Sequence, residues 1–368
     1  MGRQPVSPRR DARTRAGTHQ GALGARGGAV NPEVMAEWFR RQDHRVVRTA
    51  SSWWYDAGAR VYQAFPFHWS FRPLPDEAER LLRGVGGLAL RFTTPLDAPE
   101  GRVSYHVVCD DRGYGLERLD GRARNAVRNG SQRARVEVVP LERLAEEGWA
   151  LEVDTCRRQG RAVPWSRGAW RRRCLAAADL PGFEAWGALV EGRLAASLLA
   201  VRVDGWCEVL GQQSLSEYLA ARVNNALTFG FTRAVLQRPG VASIFYSLQS
   251  LDAPPSVDDF KLRMGYRPAP VRQRVVLHPW ARPFVGPWAP ALVASALRRR
   301  PGSRVLAKAE GMLRFYVEGL APAERQEWPA CLERAQPRAA EAGVPGVRPA
   351  PAPAPRPTAG PGAPASRP

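Results

Sequence analysis

Lys261 and Lys308 are the only lysines in this 368-residue chain, and arginine supplies the rest of its 54 cationic side chains. A lysine kept where arginine would serve any ordinary surface role points to a task for a compact ammonium, such as meeting a substrate carboxylate or an oxygen that gains charge. The plainer alternative is a solvated lysine on an amphipathic helix, with Asp259 beside it. Upstream, the apolar run Ser243–Leu248 (SIFYSL) carries Tyr246 and is followed by Gln249 and Ser250. A tyrosine there can protonate a leaving group, and a serine can orient an amine. Strand side chains alternate between faces, so Tyr246 is equally a core candidate, whereas Ser250 is better placed to line a cleft.

Two further stretches can hold anions. In Asp154–Arg161 (DTCRRQGR), arginines gather at a helix end, and Arg158 and Arg161 can clamp a phosphate or carboxylate, with Asp154 as a substrate contact. Arg222 precedes Asn224-Asn225 and an apolar stripe of Leu227, Phe231, Ala234 and Val235, so a helix begins there. The asparagines can cap it or can leave its first amides for an anion. Trp54, Tyr55 and His68 lie in an aromatic-dense segment, Ser51–Phe71. Such density can line a pocket for an acyl chain or sugar ring, or it can pack a lobe. The five cysteines and five histidines are scattered, without a C-x-x-C pair, and no metal site is expected.

These residues need a scaffold, and Leu194–Leu277 supplies its pattern. Apolar runs flank Asp204-Gly205, a strong hairpin signal. A helix, the strand Ser243–Leu248, a second helix capped by Ser256 and ended at Gly265, and a last strand Val271–Leu277 complete it. This order resembles the GNAT superfamily of N-acyltransferases, and more closely its FemAB-like branch. The run Asp258–Tyr266 (DDFKLRMGY) is similar to the F-K-x-x-x-G-[FY] ending of that branch. The resemblance covers roughly Trp53 to Pro279. It implies an α/β fold with a mixed, mostly antiparallel sheet flanked by helices, built from two related lobes. It also implies transfer of an acyl or aminoacyl group from acyl-coenzyme A or aminoacyl-tRNA to an amine on a small molecule or cell-wall precursor. Such chemistry requires a cleft between splayed strands and donors for the carbonyl oxygen, without a metal or a tightly bound cofactor. On this basis Lys261, Ser250 and Tyr246 are the expected catalytic residues. Asn224, Asn225, Arg222, Arg158 and Arg161 would hold the donor, and Asp154, Trp54, Tyr55 and His68 would contact the acceptor. One departure is clear: the Q/R-x-x-G-x-G/A loop of typical GNAT enzymes is absent from Gln212–Asn225 (QQSLSEYLAARVNN).

A net charge of +19 suggests polyanionic partners, yet no nucleic-acid recognition motif accompanies it. A non-catalytic fold that binds RNA or another polyanion, tRNA included, is the rival reading. Residues 1–30 are Arg/Gly-rich and 336–368 Pro/Ala-rich, and both read as disordered. Between them the expected units are 31–140, an aromatic-rich lobe; 141–282, the acyltransferase lobe; and 283–320, a helical appendix. The appendix (PWAPALVASAL beside three arginines) packs on the fold or lies on a membrane surface. No apolar stretch approaches the roughly 20 residues of a membrane span, and no secretory signal opens the chain, so the cytoplasm is expected.

Overall fold

The computed structural model describes residues 31–251, 256–300 and 302–334. The segments 1–30 and 336–368, expected to be disordered, lie outside them. In chain order the elements are α1 (Glu33–Arg40), β1 (Val46–Arg48), β2 (Trp53–Asp56), β3 (Val61–Phe65), α2 (Glu77–Val85), β4 (Ala89–Thr94), β5 (Arg102–Cys109), α3 (Gly121–Arg133), β6 (Arg135–Val139), α4 (Leu141–Arg158), α5 (Arg167–Leu175), β7 (Phe183–Val190), β8 (Arg193–Val203), β9 (Trp206–Ser214), α6 (Val223–Leu236), β10 (Ser243–Leu248), α7 (Ser256–Arg263), β11 (Arg267–Leu277), α8 (Ala289–Arg299) and α9 (Arg304–Glu318).

The strands form one eleven-stranded sheet in the order β1-β2-β3-β4-β11-β5-β10-β9-β8-β7-β6. Its pairs are antiparallel except β3 with β4 and β9 with β10, which are parallel. Leaving aside the edge strand β6, which has no counterpart, exchanging β1 to β5 with β7 to β11 in sequence returns the same order read backwards, with every pairing sense kept. The helices match as well, since α2 joins β3 to β4 as α6 joins β9 to β10. The chain is thus two related halves, and each places its last strand inside the other: β5 between β10 and β11, and β11 between β4 and β5. The sheet is therefore continuous across the expected boundary at residue 140.

Both faces of the second half are covered, which explains why β8 is apolar nearly throughout. Leu198 and Ala200 pack with Phe231 and Val235 of α6, while Leu199 and Val201 pack with Trp38 of α1, Leu144 of α4 and Trp170 of α5. The Asp204-Gly205 turn joins β8 to β9 with φ of 51° and 76°, the left-handed geometry that lets two residues close a hairpin. β2 and β3 arise inside the aromatic segment, whose rings turn to both faces of the sheet: Trp53 joins the core under α1, and Trp54 joins Leu82 of α2 and Phe92 of β4.

Candidate active site

β9 and β10 pair at only three positions: Ser243 with Trp206, Ile244 with Cys207 and Phe245 with Glu208. Just beyond, each strand carries an extra residue against its other neighbour. Leu210 is the bulge in β9 against β8, and Tyr246 is the bulge in β10 against β5. A bulge bends a strand and increases its twist. Here the two bulges lie where the pairing stops and the strands part. The gap between them is the cleft that the sequence leads one to expect.

Lys261 stands in its wall. The residue is 8% exposed, so the solvated-surface reading is wrong. Its Nζ donates to Ser247 Oγ and to Asp258 Oδ1, each at 2.7 Å, and lies 5.2 Å from the centre of the Tyr246 ring. The Tyr105 hydroxyl donates to the other Asp258 oxygen at 2.6 Å. The carboxylate partner is Asp258 rather than Asp259, which is exposed. Residues three apart share a helix face and residues two apart do not. Burial pushes the Lys261 ammonium below its ordinary pKa, Asp258 pulls it partly back, and Arg161 lowers it further by like-charge repulsion. Arg161 itself is exposed.

Tyr246 is 8% exposed, and its hydroxyl donates to Gln212 Oε1 on β9. Burial raises its pKa, so it stays protonated. Thr228 Oγ1 donates to the same Gln212 oxygen at 3.2 Å, and Gln212 Nε2 donates to Asn224 Oδ1 at 3.2 Å. Asn224 Nδ2 donates to Ser214 Oγ at 2.9 Å, and Arg158 Nη2 donates to that same oxygen at 3.1 Å. Arg158 Nη1 reaches Ser214 O and Ser216 Oγ, and Ser216 Oγ donates to Asp154 at 2.7 Å. One polar chain thus runs from Tyr246 across the cleft floor to the end of α4.

Several expected roles change in this light. The asparagines do not cap α6. The cap is Arg222, in the left-handed region at φ 57°, and Asn224 and Asn225 sit within the first turn. Asn225 Nδ2 instead donates to Met264 Sδ at 3.4 Å. Arg158 and Asp154 staple α4 to the end of β9, so the Arg158 fork is already occupied by protein. Trp54 is fully buried, donates Nε1 to Thr49 Oγ1 at 3.0 Å and presents no surface to a ligand. Tyr55 stacks on Phe39 at 3.9 Å, and burial pushes its hydroxyl up to about 12. His68 is also buried. Its Nδ1 lies 2.6 Å from Glu208 Oε1, and its ring stacks on Trp206. Glu208 alternates with Cys207 along β9, which puts this pair on the sheet face opposite Tyr246. Ser250 lies just past β10 and is half-buried.

Gln212, Ser214, Asp258 and Tyr105 belong to the site, and sequence reasoning does not single them out. The i,i+3 spacing of Asp258 and Lys261 is the signal that could have found the first pair. Tyr105 comes from the first half of the chain, delivered by the strand exchange. Among the described residues, no group of three or more His, Cys, Asp or Glu side chains is placed to hold a metal ion.

No family model matches the sequence, and no curated protein matches it. Solved structures match at low identity. The C-terminal domain of a putative lysylphosphatidylglycerol synthetase from Agrobacterium fabrum is 11% identical, with a TM-score of 0.47 over 66% of this chain and 87% of its own. FemX is 10% identical, with a TM-score of 0.49 over 68% of this chain and 92% of its own. A GCN5-related N-acetyltransferase from Kribbella flavida is 12% identical, with a TM-score of 0.40 over 68% and 96%. At these values the likeness carries no weight for activity.

Proposed function

We propose that the chain is an N-acyltransferase that moves an acyl group from a thioester or ester donor to an amine. The observation that carries this reading is the splayed β9–β10 pair with a buried, pKa-lowered lysine in its wall. In the transfer, the amine lone pair forms the new N–C bond while the carbonyl π pair moves onto oxygen. The resulting oxyanion collapses, and the bond to the leaving sulfur or oxygen breaks. An ammonium has three donors. Two of the Lys261 protons go to Ser247 and Asp258, which leaves the third for the oxyanion. Such a donor, fixed in advance and shielded from water, is typically worth on the order of 10²–10³ in rate. The attacking nitrogen loses its proton to solvent and the leaving group regains one, so no side chain ends the cycle changed. With Arg158 engaged by Ser214 and Ser216, we assign contact with a phosphate on the donor to Arg161, whose charge is felt at Lys261. An acyl-coenzyme A fits that charge, and no observation favours aminoacyl-tRNA over it.

The test incubates the full chain with a panel of acyl-coenzyme A donors and amines, following thiol release and acylated product by mass spectrometry. Amine-dependent product, reduced in Lys261→Arg, supports the reading. Absence of product together with absence of any donor-induced rise in melting temperature would overturn it.

A further inference from the structure

Outside the cleft, one surface stands apart. Of the eight large apolar side chains exposed among the described residues, Trp280, Phe284, Trp288, Leu292 and Val305 all belong to α8, to the start of α9 and to the turn before them. Phe284 is 70% exposed and Leu292 62%. α8 is an eleven-residue helix whose only buried residue is Ala289, so it hardly packs on the fold. The appendix packs on the fold through α9, whose Met312 and Phe315 join Val275 and Leu277 of β11, while α8 rests on α9. Trp288, Leu292 and Arg299 stand four and then seven residues apart, on one helix face. That face begins aromatic and ends at Arg299, which Arg298 and Arg300 flank around the helix end, all three exposed. Between Asp259 and Glu310 the chain has no acidic residue.

We propose that the α8–α9 hairpin docks on the surface of an anionic lipid bilayer. Tryptophan and phenylalanine settle at the level of lipid headgroups, where an apolar ring can be buried without crossing the membrane. Arginines beside them are drawn to anionic headgroups, and no carboxylate of the hairpin's first half opposes that attraction. A protein partner would account for the apolar face alone; the graded arrangement from aromatic to basic along one helix is what a charged interface complements. No helix among the described residues is long and apolar enough to cross a membrane. The docked hairpin is also tied to the cleft. Arg314 of α9 donates to Leu251 O at 3.0 Å, and Gly311 lies so close to Leu251 that an added Cβ would come within 2.8 Å of its side chain. Leu251 lies three residues past Leu248, the end of β10, so the strand that carries Tyr246 and Ser247 runs directly into the segment that contacts the hairpin. The docking does not depend on the transferase reading.

The experiment is co-sedimentation of the full chain with vesicles of phosphatidylcholine, with and without about a third phosphatidylglycerol. The variants are Phe284→Ser/Trp288→Ser/Leu292→Ser and Arg298→Ala/Arg299→Ala/Arg300→Ala. All six positions are exposed, so thermal melts should match wild type, and Trp288→Ser alone replaces the triple variant if they do not. The expected result is binding that needs phosphatidylglycerol and falls about tenfold in either variant, because insertion and charge act together. Three results would overturn the proposal. One is failure of the full chain to sediment with anionic vesicles. The second is undiminished binding by the serine variant, which would mean simple attraction of a basic chain. The third is a dimer in solution that the serine variant converts to monomer.

Discussion

Replacing Lys261 by methionine should destabilise the protein strongly, and the structure sets the size of the effect. The Lys261 and Asp258 side chains are 10% and 12% exposed, and their 2.7 Å contact is direct. Methionine fills the space of the lysine stem but leaves the Asp258 carboxylate buried without its counter-charge, with the Tyr105 hydroxyl still donating to it. Breaking a buried pair from one side typically costs about 3–5 kcal/mol, because the uncompensated charge stays desolvated. That is a large fraction of the roughly 5–15 kcal/mol that holds a folded chain together. Removing the charge as well should undo most of the damage. The double variant Lys261→Met/Asp258→Asn keeps an acceptor for Tyr105 and should recover to within about 1 kcal/mol of wild type. Urea unfolding measured by circular dichroism, on wild type, both single variants and the double, closes the cycle. A Lys261→Met cost under about 1 kcal/mol, the range of exposed pairs, would show that the ammonium is solvated and the site wrongly drawn. So would a double variant no more stable than the single.

Single contacts set other outcomes. Gly130 is helical, where alanine normally adds about 1 kcal/mol. Here a Cβ would meet Arg222 O at 2.6 Å, so Gly130→Ala should lower the melting temperature, and a rise would refute the close approach of α3 to α6. Burial raises the thiols of Cys109 and Cys174 to about 12 and Cys156 to about 11. Unfolded thiols titrate at about 8.5, so above that pH the folded state binds more protons and stability falls as pH rises, by up to about 1.4 kcal/mol per unit per thiol. Denaturation midpoints between pH 7 and 10, about 1.5 units either side of the unfolded thiol, check the sign. Arg161→Ala removes a like charge from Lys261, so the alkaline limb of the pH–rate profile should move up while donor affinity falls; an unmoved limb would place Arg161 outside the cleft.

The features legible in the sequence are local ones. The strand Ser243–Leu248 is found as expected, and the Asp204-Gly205 hairpin and the left-handed Gly265 are where turn chemistry puts them. The start of α6 misleads because asparagine is a preferred cap, whereas the turn before it ends on Arg222 in a conformation that few arginines adopt. β2 and β3 are hidden because their aromatic residues are buried on both faces and show no alternation, and β1 because it is only three residues long. Tyr105 cannot be paired with Asp258 from sequence. They lie 153 residues apart, and only the exchange of β5 into the second half brings them together.

That exchange also decides why two equivalent halves of one sheet differ at their splayed pairs. β3 and β4 repeat the geometry of the cleft, with parallel pairing at three positions, Val61 with Ala89, Tyr62 with Leu90 and Gln63 with Arg91. Past them the gap is lined by the apolar Ala64, Pro66, Phe67 and Phe92 and by the polar Gln63, Arg91 and Gln273, with Arg91 Nε donating to Gln273 Oε1 at 3.0 Å. The halves differ most in the connection that leaves the fourth strand. β10 is joined to β11 through α7, which carries Asp258 and Lys261 into the wall, whereas β4 passes to β5 through residues 95–101 without a helix. The first half therefore has the splay and a strand arginine, Arg91, engaged with Gln273, but no helix in the place of α7. Its β5 serves the second half instead, where Tyr105 holds Asp258, and Asp258 in turn holds Lys261.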